Sequence, residues 1–275
     1  AELGSPASRA RHGLETRRCR WPSSTGVEAI VEETQELVVA TRDLPIAAWR
    51  QAYRLCFLTA ALYNLRLLRV VMHAVVEAGG VPRRTLLLAL GDALASAPPG
   101  SVYAALSATL DRYADSILAS GPLVLPAPGA DPAATPVPVD DALAAIALDR
   151  YDEFLVETAA ALAPLTASAP ALTAEAFAYQ RLITPRWQAA APISVSFGHD
   201  WPRYLASGAT GAGPAVASTL VRFAPPSYVD VASAADFVTT HLAVVRTRLD
   251  VGVVTAEAAA VARPIRRLNV LPVSG

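Results

Sequence analysis

Residues 55–76 form a largely apolar segment that two arginines, Arg66 and Arg69, interrupt, and this segment limits the folds open to the chain. It is long enough to cross about 30 Å of hydrocarbon. Each central arginine, however, costs about 2.5 kcal/mol or more on the membrane-insertion scale, and Asn64 and His73 add to that cost. The segment therefore predicts a buried helix and no membrane span.

The composition favours a chain with a large apolar core and without a nucleic-acid surface. Of its 275 residues 53% are hydrophobic and 17% charged, and a chain of this size buries enough surface to fold without disulfide or metal. A net charge of -1 offers no basic surface for phosphates, so we expect no nucleic-acid partner. Because Cys19 and Cys56 belong to no metal-binding cluster and no apolar leader is visible, a cytoplasmic location is predicted.

Proline and glycine divide the chain into three predicted regions. Residues 1–43 are interpreted as a connector from a missing upstream domain, rich in turn-forming residues except for an extended segment at 35–41. Residues 44–187 are predicted to form a helical domain with a Pro-rich loop at 121–138. Residues 188–275 are predicted to form a small α/β appendage and tail. The expected fold class is mainly α, a helical bundle-like domain with two short strands plus helices at its C-terminal end.

Capping residues and periodicity predict the limits of the individual elements. A cap at Asp43 or Thr41, with Pro45 near the first helical position, indicates where the first long helix begins. The predicted helices cover 46–77, 82–94, 101–118, 139–163 with a start at 139 or 140, 173–184, and 233–249 with a start at 232 or 233. The predicted strands cover 193–197 and 218–223, with a short helix capped by Asp200 between them.

The chain offers few residues for catalysis. Its four histidines are scattered, and none forms the i, i+4 pair that metal ligands on a helix need. The glycine patterns of a nucleophile elbow, a phosphate loop and a dinucleotide site are all missing from the sequence, as is a hydrolase's nucleophile beside a histidine. The acidic pairs Asp140–Asp141 and Asp152–Glu153 point in different directions on a helix, so they are interpreted as helix starts and solvated faces.

Aromatic and arginine side chains are the remaining candidates. The cluster His199–Trp201 follows a predicted strand, where a loop often presents functional groups, although an N-cap and a packing residue also explain it. Arg66 and Arg69 lie one turn apart and could pair with buried carboxylates or bind an anionic group of a ligand. The stripe containing Trp49 and Tyr53 is predicted to be core, with polar ends available to a partner at a domain boundary.

Short strings in a fixed order carry a resemblance. They are Arg-His-Gly-Leu-Glu-Thr at 11–16, Glu-Leu-Val-Val-Ala-Thr at 36–41, Trp-Arg-Gln-Ala-Tyr-Arg at 49–54, Ala-Tyr-Gln-Arg at 178–181 and Phe-Gly-His-Asp-Trp-Pro-Arg-Tyr at 197–204. In order and spacing they resemble the region after the barrel in cobalamin-binding radical S-adenosylmethionine proteins. The matches cover most of residues 9–75 and 175–205.

The resemblance implies a parent enzyme that cleaves S-adenosylmethionine reductively with a 4Fe-4S cluster and uses cobalamin, often for methyl transfer or ring chemistry. This sequence has no C-x-x-x-C-x-x-C motif and no cobalamin-binding domain, so no catalytic residue of the family carries over and we expect the chain to bind none of these cofactors. Its start, Ala-Glu-Leu, is interpreted as a cut inside a longer chain.

Two functions from different classes follow as expectations. The first is a C-terminal accessory domain, inactive alone, whose partners are the barrel and the cobalamin domain of the same polypeptide and which helps shape the site of an unknown small-molecule substrate. The second is a stand-alone helical binding module without catalytic activity, which uses the face around Tyr53, Arg66 and Arg69. The predicted interface or substrate-side residues are Trp49, Tyr53, Arg66, Arg69, Tyr179, Gln180, Asp200, Trp201 and Tyr204.

Overall fold

A computed structural model describes residues 5–21, 33–128, 136–184, 192–207, 213–223, 233–238 and 271–272. The fold is mainly helical with a small α/β part, as the sequence predicts. Its α-helices are α1 (Pro6–His12), α2 (Ile46–Thr59), α3 (Arg69–His73), α4 (Arg83–Ala95), α5 (Val102–Leu118), α6 (Val139–Asp149), α7 (Tyr151–Thr166), α8 (Pro170–Ile183), α9 (Trp201–Ala206) and α10 (Ala234–Phe237). Two π-helical segments cover Ala60–Asn64 and Ala74–Ala78, and the strands are β1 (Glu15–Trp21), β2 (Glu33–Ala40), β3 (Ile193–His199), β4 (Val216–Phe223) and β5 (Leu271–Pro272).

The N-terminal region contains more regular structure than its turn-forming residues predict. Strands β1 and β2 pair in antiparallel, and the extended segment predicted at 35–41 lies within β2 apart from its last residue. Cys19 and Val39 are fully buried in the hydrophobic core. Nε of Arg17 donates to the carbonyl oxygen of Leu118 at 2.9 Å. Where the structure describes it, this region packs on the helices.

The single helix predicted over 46–77 is wrong, because the chain bends sharply in its middle. Helix α2 continues into the first π-helical segment, the chain leaves helical geometry at residues 65–68, and α3 begins in a new direction. Arg66 at this bend has a positive φ of 65°, a left-handed conformation that is rare for a residue with a Cβ. In the described ranges no single helix is long and apolar enough to span a membrane, although the two arms of this bend, 104° apart, pass that test together.

The helix predicted over 139–163 is also two helices. Arg150 separates α6 from α7 with a φ of -123° and a ψ of 47°. Its Nη1 donates to the carbonyl oxygen of Gly100 at 2.9 Å, which provides a tertiary contact at the break. The predicted end at 163, just before Pro164, is three residues early, because Pro164 lies inside the last turn of α7 and the helix continues to Thr166.

The two acidic pairs lie at helix starts but differ in exposure. Asp152 and Glu153 lie in the first turn of α7, and both are partly exposed and paired with arginines. Asp140 and Asp141 lie in the first turn of α6, where a helix dipole favours a carboxylate, but each is only 3% exposed. The helix start is confirmed for this second pair, but it is not solvated, because other elements cover this end of α6.

Helix α5 is the centre of the helical core. Its buried residues Leu106, Leu110 and Tyr113 recur at three- and four-residue steps, as a helix face requires. The hydroxyl of Tyr113 lies 2.8 Å from the carbonyl oxygen of Val137 and 3.1 Å from that of Leu125, which fixes the Pro-rich segment on this helix. The described parts of that segment contain no helix, as predicted.

The helix starts are capped partly as the sequence predicts. Ser101 caps α5 through its hydroxyl, and Asp200 caps α9 by accepting from the backbone N–H of Arg203 at 3.1 Å. The cap predicted for α2 at Asp43 or Thr41 is wrong, because the N-cap is Pro45 and makes no side-chain bond. The hydroxyl of Thr41 instead accepts from the backbone N–H of Leu44 in the preceding turn.

The C-terminal α/β part consists of β3 and β4 in antiparallel pairing, with β5 on the other edge of β4 and α9 between the two long strands. The two predicted strands are confirmed. Phe197 and Phe223 lie on one face of this sheet and contact the ring of Tyr179 on α8, at 5.2 and 5.7 Å between centroids. Helix α8 begins at Pro170, three residues before the predicted start, and most of the helix predicted over 233–249 lies outside the described residues.

Replacing Glu157 by Ala should destabilise the protein, because this carboxylate on α7 accepts from the backbone N–H groups of Val102 at 2.9 Å and Tyr103 at 2.8 Å. These are free N–H groups of the first turn of α5, and losing such a cap costs about 1–2 kcal/mol of unfolding free energy. Urea denaturation followed by circular dichroism measures the loss. The control is Glu153→Ala on the same helix, which should cost clearly less, and equal losses would contradict the capping role.

Candidate functional site

Gln180 holds the bend between the first π-helical segment and α3. Its side chain is fully buried. Its Oε1 accepts from the backbone N–H of Val70 at 2.8 Å, and its Nε2 donates to the carbonyl oxygen of Arg66 at 2.9 Å and to the hydroxyl of Thr184 at 2.8 Å. One amide therefore satisfies backbone groups on both sides of a turn that has lost its helical hydrogen bonds.

Tyr151 completes this polar network from the start of α7. Its hydroxyl donates to the carbonyl oxygen of Leu67 at 2.7 Å and lies 2.7 Å from the hydroxyl of Thr184. Leu67 and Leu68 are almost fully buried, so their backbone carbonyls have little access to water. The network thus fixes residues 66–70 from two helices, and the left-handed Arg66 is retained because the surrounding contacts determine its conformation.

Glu175 on α8 organises the segment that joins β3 to α9. Its carboxylate accepts from the backbone N–H groups of Gly198 at 2.9 Å and His199 at 3.0 Å, and from Nε1 of Trp201 at 2.7 Å. Nδ1 of His199 lies 3.2 Å from the same carboxylate. A Cβ at Gly198 would lie 3.2 Å from Oε2, so this close approach favours glycine. Partial burial opposes the ionised form, but these hydrogen bonds outweigh it and lower the pKa of Glu175.

The candidates Tyr179, Trp201 and Tyr204 form one aromatic cluster. The rings of Tyr179 and Trp201 stack with centroids 5.7 Å apart, and Tyr204 meets Trp201 edge-on at 6.2 Å. All three side chains are at most 5% exposed. On the far side of Tyr204 the ring of His73 lies perpendicular to it at 6.5 Å, which joins this cluster to α3.

A second group of polar side chains surrounds His73. The hydroxyl of Tyr63 lies 3.3 Å from Nε2 of His73, and the guanidinium carbon of Arg69 lies 5.2 Å from the centroid of the Tyr63 ring. Burial lowers the pKa of His73, and Arg69 is among the charges that lower it further, so the imidazole is neutral near pH 7. Burial raises the pKa of Tyr204 to about 12. We name these four residues, Tyr63, Arg69, His73 and Tyr204, the bend cluster.

Trp49 and Tyr53 lie in a different part of the fold. Their rings stack along α2 with centroids 5.2 Å apart, and Tyr53 also contacts Phe57 at 4.7 Å. Burial raises the pKa of Tyr53, with smaller contributions from Tyr113 and Asp140, which places this hydroxyl near α5 and α6. The structure therefore brings together six of the predicted residues, which are Arg66, Arg69, Tyr179, Gln180, Trp201 and Tyr204, while Asp200 caps α9 beside them.

Glu175, Tyr63 and His73 are the residues that sequence reasoning missed as parts of a site. Glu175 is separated from its partners by 23 to 26 positions, and no motif links them. The sequence shows His73 only as one of four scattered histidines and as a cost to membrane insertion. In the described ranges no group of three or more His, Cys, Asp and Glu side chains could hold a metal ion. The bend cluster instead combines the cation of Arg69, the hydroxyl groups of two tyrosines and the neutral imidazole of His73. A guanidinium and hydroxyl groups are side-chain groups that can bind an anion.

Comparisons with known proteins do not assign the chain to a family: no family model matches it, and no curated protein matches it.

Replacing Gln180 by Leu should cost about 3 kcal/mol or more, because it leaves the backbone groups at Val70 and Arg66 buried without their partner. Urea denaturation measures this loss. The matched control is Gln51→Leu, an exposed glutamine on α2 that should change the unfolding free energy by less than about 0.5 kcal/mol. A loss as small as that of the control would show that the amide does not hold the bend.

Replacing Glu175 by Gln should cost about 2 kcal/mol at pH 7, because the carboxylate accepts charge-assisted hydrogen bonds that an amide only partly replaces. The lowered pKa of Glu175 also predicts a pH dependence. Its contribution is complete above the ordinary glutamate pKa of about 4.3 and is lost as the pH falls through the lower folded-state pKa.

Unfolding free energies of both proteins between about pH 7 and pH 3 check this prediction. The difference between wild type and Glu175→Gln should shrink as the pH falls. A difference that stays constant over this range would contradict a role for the ionised carboxylate. Glu33→Gln, at an exposed position of β2, is the control for general acid effects.

Proposed function

We propose that this chain is the C-terminal accessory domain of a cobalamin-dependent radical S-adenosylmethionine enzyme, and that it packs on the catalytic barrel and helps shape the substrate site. One observation carries the proposal. Four of the five strings behind the resemblance meet in the fold in two groups, the first at 11–16 and 36–41 and the second at 178–181 and 197–204.

The first group joins the N-terminal strings. The backbone N–H of Arg42 donates to the carbonyl oxygen of His12 at 2.9 Å, and Glu15 in β1 pairs with Ala40 in β2. Arg9 on α1 and Glu36 on β2 form an ion pair at 2.6 Å. The string at 11–16 therefore lies directly beside the string at 36–41.

The second group joins the later strings to the bend. Gln180 from the Tyr-Gln string bonds the backbone at Arg66 and Val70, and Tyr179 stacks on Trp201 from the Asp-Trp string. Such mutual packing of separated strings supports their origin in one ancestral domain. In the proposed enzyme the cluster, S-adenosylmethionine and cobalamin are held by the upstream domains, and this chain supplies shape and contacts.

The surface of β3 and β4 supports packing against another domain. Three of the large apolar side chains exposed in the described ranges lie on these strands: Val216 is 87% exposed, Ile193 49% and Leu220 46%. Exposed apolar groups that gather on one element are typical of a surface that a further domain covers. We assign strand β4, with Val216 and Leu220, to the contact with the barrel.

The reading frame upstream of the codon for Ala1 tests the proposal directly. We expect an open frame of several hundred codons that carries a C-x-x-x-C-x-x-C motif. A start codon with a ribosome site immediately before Ala1 would overturn the assignment.

Association of this chain with the upstream domains of the proposed enzyme tests whether β4 forms the contact with the barrel. When the two parts are expressed as separate chains, the double variant Val216→Ser, Leu220→Ser should weaken their copurification. Val156→Ser, which changes a 69% exposed valine on α7, is the matched control and should leave it unchanged. Equal copurification of all variants would show that the barrel does not contact β4.

A stand-alone helical binding module is the second candidate, and one observation favours it. Arg69 lies half-buried on the ring of Tyr63 and forms no ion pair with any described residue, which suits a ligand-binding cation. A start codon beside Ala1, together with ligand binding by this chain alone, would favour the module over the accessory domain.

A further inference from the structure

Glu175 and His199 form a carboxylate–histidine pair at the end of β3. Oε1 of Glu175 lies 3.2 Å from Nδ1 of His199 and accepts from the backbone N–H of the same residue at 3.0 Å. The lowered pKa of Glu175 keeps its carboxylate ionised near pH 7, and an ionised carboxylate can only accept hydrogen bonds. In the neutral ring the proton therefore lies on Nδ1 and the lone pair on Nε2. A histidine that acts as a proton acceptor has this arrangement.

The neighbouring groups hold the carboxylate behind the ring in a fixed position. The backbone N–H of Gly198 and Nε1 of Trp201 donate to it at 2.9 and 2.7 Å. Trp201 is fully buried, and only 19% of the Glu175 side chain is exposed. A rotation of Glu175 would break these bonds, so the imidazole that it contacts is held in one orientation. Such support from neighbouring groups is what a functional side chain needs in order to act at a defined point.

Nε2 of His199 is available to a ligand. It makes no hydrogen bond with a described residue, and it is not among the buried polar atoms that lack a partner. The side chain is 20% exposed. The strand register shifts between Phe197 and His199, as at a β-bulge, and bulges that re-aim a side chain are frequent beside active sites. His199 pairs with Val216, which is 87% exposed, so the ring lies beside an open part of β4.

We propose that His199 is a general base that removes the proton from a hydroxyl group of a small molecule, with Glu175 as its positioning residue. The O–H bond breaks, its electron pair stays on the oxygen, and the proton forms a bond to Nε2. The oxygen thereby becomes a nucleophile. The carboxylate of Glu175 stabilises the imidazolium from its other nitrogen. The same negative charge repels anions, so the group that loses the proton belongs to a neutral molecule.

This activity goes beyond the accessory role, because both residues belong to this chain. A measurement on the purified chain therefore succeeds or fails independently of what the upstream reading frame contains. In the proposed enzyme the base lies beside β4, next to the contact with the barrel.

Nitrogen NMR of the isotope-labelled, full 275-residue chain tests the proton position on His199. At about pH 8 we expect a proton on Nδ1 and an unprotonated Nε2. A proton on Nε2 would overturn the proposal, because that atom would then have no lone pair with which to accept another.

Hydrolysis of ethyl dichloroacetate, with water as the hydroxyl compound, tests the base itself. Ethoxide leaves too poorly for direct attack by imidazole, so a histidine accelerates this reaction by taking a proton from water. The oxygen of that water adds to the acyl carbon, and ethanol leaves with the proton that the imidazolium returns. We expect His199→Gln to lower the rate above buffer by about fivefold.

His12→Gln is the matched control, because His12 is an exposed histidine of α1 and makes no hydrogen bond with a described carboxylate. This variant should lower the rate only slightly. Circular dichroism confirms that each variant is folded. Equal losses in the two variants would overturn the assignment of His199.

Glu175→Gln separates a positioning role from a structural one. In the folded variant the rate should fall several-fold although the imidazole is still present, and the NMR spectrum should show a smaller share of the tautomer with the proton on Nδ1. A folded variant with the rate and the tautomer of the wild type would show that the carboxylate serves the fold alone and would overturn its positioning role.

Discussion

A sharp bend inside an apolar segment leaves backbone N–H and carbonyl groups without helical hydrogen bonds. At a buried position water cannot replace those bonds. At the bend near Arg66 these groups find their partners in the side chain of Gln180 and in the hydroxyl of Tyr151. An unsatisfied buried backbone group costs about as much as several good apolar contacts stabilise, so the bend is possible only with these partners. The course of the whole central segment therefore depends on two polar side chains from α7 and α8.

Helix α8 connects the helical core to the α/β part. Three of its residues, which follow one another along the helix, each make a different kind of contact. Glu175 accepts the N–H groups of the segment after β3, Tyr179 packs on Trp201 and Phe197, and Gln180 holds the bend. These contacts lie along one helix, so a displacement of the α/β part relative to the helical core would also displace Gln180, which holds the bend. This arrangement suits a domain in which β4 meets a partner and α8 connects that surface to the bend.

The bend also explains why the polar residues of an apolar segment gather in one place. In a straight helix Tyr63 and His73 would be 15 Å apart along the axis, at 1.5 Å per residue, whereas the bend brings the hydroxyl within 3.3 Å of the imidazole. Arg69 then lies on the Tyr63 ring instead of in solvent. The same backbone distortion that costs stability thus assembles the candidate site.

Local patterns in the amino-acid sequence predicted most element types and several of their ends. Proline, glycine and capping residues predicted α4, α5, α9 and the strands β3 and β4, because these signals act over a few neighbouring residues. The sequence also predicted that the central segment is buried. This prediction needs only the length of the apolar run and the two arginines inside it, which are all close together in the chain. The bend, the burial of Asp140 and Asp141 and the meeting of the site residues depend on contacts between distant parts of the chain. The partners concerned are 114 residues apart for Gln180 and Arg66 and 84 for Tyr151 and Leu67, and no local pattern encodes a contact across such distances.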